Sequence, residues 1–131
     1  MKAFFMLGFT LLLLSCNQLS AQAKFYITAP KSVPVNQNFQ INVVLENGNC
    51  VEFRAPEFSG LQVSGGPFIS KSFQWVNNKV VESCTYSYML KTGKPGLFRI
   101  GKAIVNASGL YLESNAVDVR ATNGVSVVKT L

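Results

Sequence analysis

Phe39-Gln40-Ile41-Asn42-Val43-Val44-Leu45-Glu46, followed at once by Asn47-Gly48-Asn49, is the stretch whose reading decides the fold class. Phe39, Ile41, Val43 and Leu45 recur at every second position, with Gln40, Asn42 and Val44 between them and Glu46 after. Successive side chains of an extended chain point to opposite faces, so this spacing puts four apolar groups on one side of a strand. A helix would need them three or four residues apart. The Asn-Gly-Asn that follows is strong turn chemistry.

The same period continues on both sides. On the N-terminal side, residues 25–29 form a short run closed by Pro30. On the C-terminal side, residues 50–54 stop at Ala55-Pro56, and residues 61–64 precede Gly65-Gly66-Pro67. Residues 68–76 and 80–90 flank Asn77-Asn78-Lys79, the pattern of a hairpin. Thr92-Gly93-Lys94-Pro95-Gly96 is a further tight turn, and residues 97–105 and 111–121 complete the set. Residues 125–131 read as a last strand or a ragged end. The expectation is an all-β chain: an immunoglobulin-like β-sandwich of seven or eight strands over residues 24–131, its alternating apolar rows buried between two sheets.

The first 23 residues read differently. Lys2 opens the chain, residues 3–14 are apolar apart from Gly8 and Thr10, and Ala21-Gln22-Ala23 follows. Charge, apolar core and small residues in that order make a secretory signal peptide. The apolar run is shorter than the roughly 20 residues a membrane-spanning helix needs, and no later run approaches that length. Two processing routes compete. Cleavage after Ala23 leaves Lys24 first, directly before the first strand, and is preferred. Alternatively, Leu13-Leu14-Ser15-Cys16 resembles a bacterial lipobox, and Cys16 becomes a lipidated first residue. The expected location is therefore the periplasm or cell envelope, with an outer-membrane lipoprotein as the second form.

Composition narrows the function. The chain has 131 residues, 48% of them apolar and 14% charged, as suits one folded domain rather than a disordered chain. It has no histidine. Ser-His-Asp and Cys-His nucleophile pairs cannot be built, and histidine-containing zinc sites are excluded. The six acidic residues are Glu46, Glu52, Glu57, Glu82, Glu113 and Asp118, and no two sit in a motif for paired carboxylate chemistry. No enzyme and no cofactor are expected. Without Lys2 the chain carries eleven basic against six acidic residues, net +5. The basic residues are dispersed, whereas nucleic-acid binders cluster them on a face or stripe, so nucleic acid is not an expected partner.

Three local patterns invite functional readings. Residues 96–103 (GLFRIGKA) approach a phosphate-binding loop, but Ala103 stands where a magnesium-holding hydroxyl is needed, and the middle residues alternate as a strand. Ser64-Gly65-Gly66 lacks the surroundings of a nucleophile elbow and reads as a turn. Phe73 and Trp75 share one strand face, and Tyr86 and Tyr88 share the next. Both pairs are expected in the core, the Tyr hydroxyls reaching the sheet margin. The alternative is an exposed aromatic row that stacks on sugars or forms a protein hot spot. Exposure of Trp75 discriminates between two functions: a buried indole favours a protein-binding module, and a flat exposed aromatic row favours a carbohydrate-binding one.

Cys50 and Cys84 remain once Cys16 leaves. In an oxidising compartment they form a candidate disulfide closing a 34-residue loop. Cys84 shares a face with Tyr86, Tyr88 and Leu90 and points inward. Cys50 opens a strand whose in-phase neighbours, Glu52 and Arg54, are polar. A bonded pair and two separate thiols both remain open.

The most distinctive stretch is residues 53–67, where strand, proline break, aromatic and glycine bends follow in quick succession. It reads either as a strand-to-strand crossover with Phe58 plugging the sandwich end, or as a protein-binding loop presenting Arg54, Pro56, Phe58 and Gly60. Phe53-Arg54-Ala55-Pro56 with Phe58 and Gly60, then Gly66-Pro67, Tyr86-Ser87-Tyr88-Met89-Leu90, Lys94-Pro95-Gly96-Leu97-Phe98-Arg99-Ile100-Gly101 and Ser114-Asn115-Ala116-Val117, resemble the N-terminal domain of the BatD family of bacterial aerotolerance, or oxygen tolerance, proteins. The resemblance implies an envelope protein with extracytoplasmic β-sandwich domains. It further implies a non-catalytic binding or scaffold role, with von Willebrand A-domain proteins of the same system as partners. Typical members are several times longer, with further β-domains and a transmembrane helix near the C-terminus, whereas the sequence here is expected to form one domain without such a helix, as a stand-alone paralogue or a truncated copy. The rival expectation is a periplasmic or surface carbohydrate-binding module built on Trp75.

Overall fold

Ten strands and no helix make up the described part of the chain, in a computed structural model that describes residues 23–107 and 109–123. They are β1 (Lys24–Thr28), β2 (Ser32–Pro34), β3 (Phe39–Glu46), β4 (Val51–Arg54), β5 (Gln62–Val76), β6 (Lys79–Lys91), β7 (Gly96–Ile100), β8 (Ile104–Ala107), β9 (Leu110–Glu113) and β10 (Val117–Thr122). The leader with Cys16, and residues 125–131, lie outside the described residues.

β3 keeps its period: Phe39, Ile41, Val43 and Leu45 are buried, and the residues between them are not. It pairs antiparallel with β1 on one side and β6 on the other, placing Val43 opposite Tyr86 and Leu45 opposite Cys84. The main sheet has the order β1-β3-β6-β5. Two three-stranded sheets, β2-β10-β7 and β4-β8-β9, supply the rest. Ile41, Val43, Leu45 and Leu90 of the large sheet join Ile100, Val105 and Val119 of the small ones in one buried cluster. The arrangement is that of a β-sandwich, each such aliphatic side chain contributing about 1.5–3 kcal/mol by leaving water.

The strand count exceeds the expected seven or eight for local reasons. Residues 61–64 and 68–76 merge into β5, because the chain crosses the two intervening glycines and Pro67 through bulges without leaving β6. The run 97–105 divides into β7 and β8, and 111–121 into β9 and β10, where the chain passes between the small sheets. These two crossings are tied together. Ser114 N–H donates to the Ala103 carbonyl at 2.9 Å, and Ala103 N–H donates to Ser114 Oγ at 2.8 Å. Asn115 then closes the gap to the large sheet: its Oδ1 accepts from Ile27 N–H at 2.9 Å, and its Nδ2 donates to the Ile27 carbonyl at 3.3 Å. β2, too short to show a period, pairs in parallel with β10.

Candidate interaction surface

β5 and β6 form a long hairpin closed by Asn77 and Asn78. Both asparagines have positive φ (50° and 64°), as a two-residue turn matched to strand twist requires. β5 is the last strand of its sheet, so among the described residues one edge of its backbone has no strand partner. Ile69 lies opposite Tyr86, Lys71 opposite Cys84, Phe73 opposite Glu82 and Trp75 opposite Val80. Residues directly opposite one another share a face. Ile69, Lys71, Phe73 and Trp75 therefore stand on the side of the sheet that β6 turns to the core with Cys84 and Tyr86.

They are nevertheless exposed: Ile69 58%, Phe73 64% and Trp75 77%. This corrects the expectation that Phe73 and Trp75 pack inside. Tyr86 and Tyr88, expected in the same way, are buried. The second layer explains the difference. Phe53 of β4 stacks on Tyr86 with ring centroids 3.7 Å apart and planes 6° from parallel, and Phe25 meets Phe53 edge-on. That cover ends over β6. The other face of β5 carries Phe68 and Val76, also exposed. Lys71, the one charged residue of β5, approaches Glu82 at 4.0 Å, a half-exposed pair of little energetic weight.

The crossover loop turns Pro56 and Phe58 inward and leaves Ala55, Glu57 and Ser59 exposed. Pro56 is buried, and Phe58 is half-buried against Tyr88 with ring centroids 5.1 Å apart. The Glu57 carbonyl accepts from Gly101 N–H and the Phe58 carbonyl from Leu61 N–H. Arg54 and Gly60 are exposed at opposite ends of this segment. Gly60 has φ +81°, and a Cβ there would stand 2.9 Å from the Phe98 ring. Of the four residues named from sequence, Arg54 and Gly60 are thus exposed, Phe58 is half-buried and Pro56 is buried.

Cys50 and Cys84 are bonded to each other across the two layers, with Cα atoms 6.1 Å apart. The polar look of the strand that follows Cys50 is no obstacle, because the backbone irregularity between Val51 and Arg54 breaks its phase. Glu82 lies beside the pair, but the two sulfurs are committed to one another and do not form a ligand set with it. At the same irregularity Glu52 has φ +52°, a conformation rare for a residue with a side chain. Its Oε1 accepts from Asn106 Nδ2 at 2.8 Å and from the Tyr111 hydroxyl at 2.9 Å. These bonds, that to Asn106 first, hold its carboxyl below the usual range. The shallow cleft of about 200 Å³ between Glu52, Phe53, Arg54 and Tyr111 is smaller than ordinary ligand pockets. A wider cleft of about 490 Å³ is lined by Gly60, Gln62, Thr92, Gly93, Lys94 and Phe98. Its buried hydroxyl, Thr92 Oγ1, is engaged by Lys94 N–H at 3.2 Å. Residues 96–100 of the apparent phosphate loop form β7, an extended strand.

Residues 27–121, well over half of the chain, match the family model described as the BatD DUF11 like domain. The chain belongs to the BatD family. No curated protein matches it. The matched span of this BatD-family domain runs from within β1 to within β10, so it includes all of β5 and β6 and the crossover loop.

Proposed function

We propose that the chain is a non-catalytic protein-binding or scaffold module of the cell envelope, and that the open edge of β5 is where it binds. The observation that carries this reading is an edge strand with apolar side chains exposed on both faces, Ile69, Phe73 and Trp75 on one and Phe68 and Val76 on the other. Folded proteins ordinarily blunt such edges with charge, proline or cover. A strand added to this edge would complete the backbone ladder and cover both rows at once. Family membership supports a protein of the cell envelope; export through a signal peptide over residues 1–23 or, in the second form, an outer-membrane lipoprotein anchored at Cys16 rests on the charged, apolar and small-residue order of that segment. Envelope proteins are the proposed partners, von Willebrand A-domain proteins of the same system first among them. The immunoglobulin-like strand order belongs to the same proposal. Lack of histidine supports a role without catalysis.

Exposure of Phe73 and Trp75 is also the observation that favours a carbohydrate-binding module. The surroundings argue the other way. A sugar platform uses one flat face with polar groups at its rim. Here Ile69 and Val80 flank the rings, and Phe68 and Val76 lie on the far side of the strand. An affinity capture from envelope extract, with the protein tagged at its C-terminus, separates the two. Recovery of von Willebrand A-domain proteins, lost in the Phe73→Ser/Trp75→Ser variant, is the expected result. Recovery of polysaccharide alone, or protein capture indifferent to the β5 changes, overturns the reading.

A further inference from the structure

We infer that the strand which fills the β5 edge is β5 of a second copy, paired antiparallel about a twofold axis at Ser72. This deepens the proposed function and rests on it.

The argument is one of register. Residues 68–76 form the uninterrupted part of β5, between the bulges that end at Phe68 and the turn at Asn77. When a strand meets its own copy about a twofold axis, residue i faces j and j faces i. Side-chain faces match only in registers where the opposed residues have the same parity, and those registers also bring outward-pointing backbone groups together. The register centred on Ser72 opposes Ile69 to Trp75 and Phe68 to Val76, apolar to apolar on each face. It opposes Ser70 to Gln74 and Ser72 to itself, polar to polar. Lys71 falls opposite Phe73, where an ammonium group meets an aromatic ring.

The neighbouring registers are worse. Centring on Lys71 sets the strand's one charge against its own copy, and like charges directly opposite destabilise a pair. Centring on Ser70 opposes Lys71 to Ile69 and Phe73 to Pro67. Centring on Phe73 leaves Ile69 against Asn77 and Val76 against Ser70. The midpoint of the straight segment and the midpoint of best complementarity are the same residue.

Area sets the expected strength. The exposed fractions of Phe68, Phe73 and Trp75 leave on the order of 100–200 Å² available on each ring. With Ile69 and Val76 the two copies together expose on the order of 1,000 Å² of apolar side chain, and strands meeting edge to edge cover only part of it, so the buried area falls below what a stable specific interface needs. The dimer is therefore weak and dissociates on dilution, which leaves the edge open to another strand.

Sedimentation of the purified protein over roughly 10 μM to 1 mM is expected to show a monomer–dimer equilibrium. Phe73→Ser/Trp75→Ser, with its thermal melt as a folding control, should weaken dimerisation at least tenfold. Ser72→Cys should cross-link to its own copy. Ser70→Cys and Gln74→Cys should each cross-link poorly alone and well when mixed. A dimer that persists in the β5 variant, or in which Ser70→Cys cross-links to itself as readily as Ser72→Cys, overturns the inference. So does a protein that stays monomeric throughout. In that last case, envelope capture that still depends on β5 leaves the proposed function standing, and its loss removes both.

Discussion

At the scale of single residues, Gly66 and the cysteine pair are the informative positions. Gly66 has φ +99°, and a Cβ there would stand 2.5 Å from the Ser87 carbonyl of the neighbouring strand. Gly109 has a similar φ, +85°, with open space around it. Gly66→Ala should therefore lower stability by about 1–3 kcal/mol, and by clearly more than Gly109→Ala, whose cost is backbone conformation alone. Urea unfolding of the two variants checks this, and equal losses would remove the close-approach argument. Replacing Cys50 and Cys84 together by alanine releases a 34-residue loop and should cost about 3–4 kcal/mol. An unchanged unfolding midpoint on reduction would show the bond to be absent in solution. Little of this was legible in the chain. A glycine pair marks a bend without saying what lies beside it, and the phase of Cys50 was hidden by an irregularity at Glu52 that no residue type there announces.

At the scale of elements, the apolar row of β3 and the row Ile69, Phe73 and Trp75 of β5 share a period-two spacing and meet opposite fates. Ile41 is fully buried between β1 and β6, and Ile69 is more than half exposed at the edge. Ile41→Ala should destabilise by about 2–5 kcal/mol. Ile69→Ala and Trp75→Ser should each stay within about 0.5 kcal/mol, because no second layer covers them. Thermal or urea unfolding separates the cases, and a loss above about 2 kcal/mol at Trp75 would mean that β5 is covered in solution. Period two was sufficient to place β3, the β5–β6 hairpin and the inward row of Tyr86 and Tyr88. It could not place Phe73 and Trp75, because periodicity assigns a residue to a face and says nothing about what stands opposite that face. The breaks at residues 101–103 and 114–116 escaped for a related reason. They depend on hydrogen bonds between Ser114, Asn115 and segments far away in the chain.

For the whole molecule, pH dependence follows from which groups titrate and how folding moves them. The chain has no histidine, so no side chain with an ordinary pKa between about 5 and 8 changes charge on unfolding, and stability should be flat there. Both ends of the range differ. Burial, and then the charge of Glu82, raise the Tyr86 hydroxyl; burial, and then Tyr86, raise Tyr88. Tyr26 is raised chiefly by donating to Glu46 Oε2 at 2.6 Å. A group whose pKa is higher in the folded state contributes stability that is complete below its unfolded value, near 10, and is lost as pH climbs through the folded one. Glu52 is the opposite case: its folded pKa is depressed, so its contribution is present above the usual carboxylate value and lost as pH falls through the folded one. Urea midpoints measured against pH should form a plateau with an acid fall and an alkaline fall. Tyr86→Phe should soften the alkaline fall and leave the acid one alone, since the phenyl ring keeps the stack on Phe53 while removing the group that titrates. A midpoint that drops between pH 6 and 8, or an alkaline fall that Tyr86→Phe leaves untouched, would contradict a sandwich whose core encloses these rings.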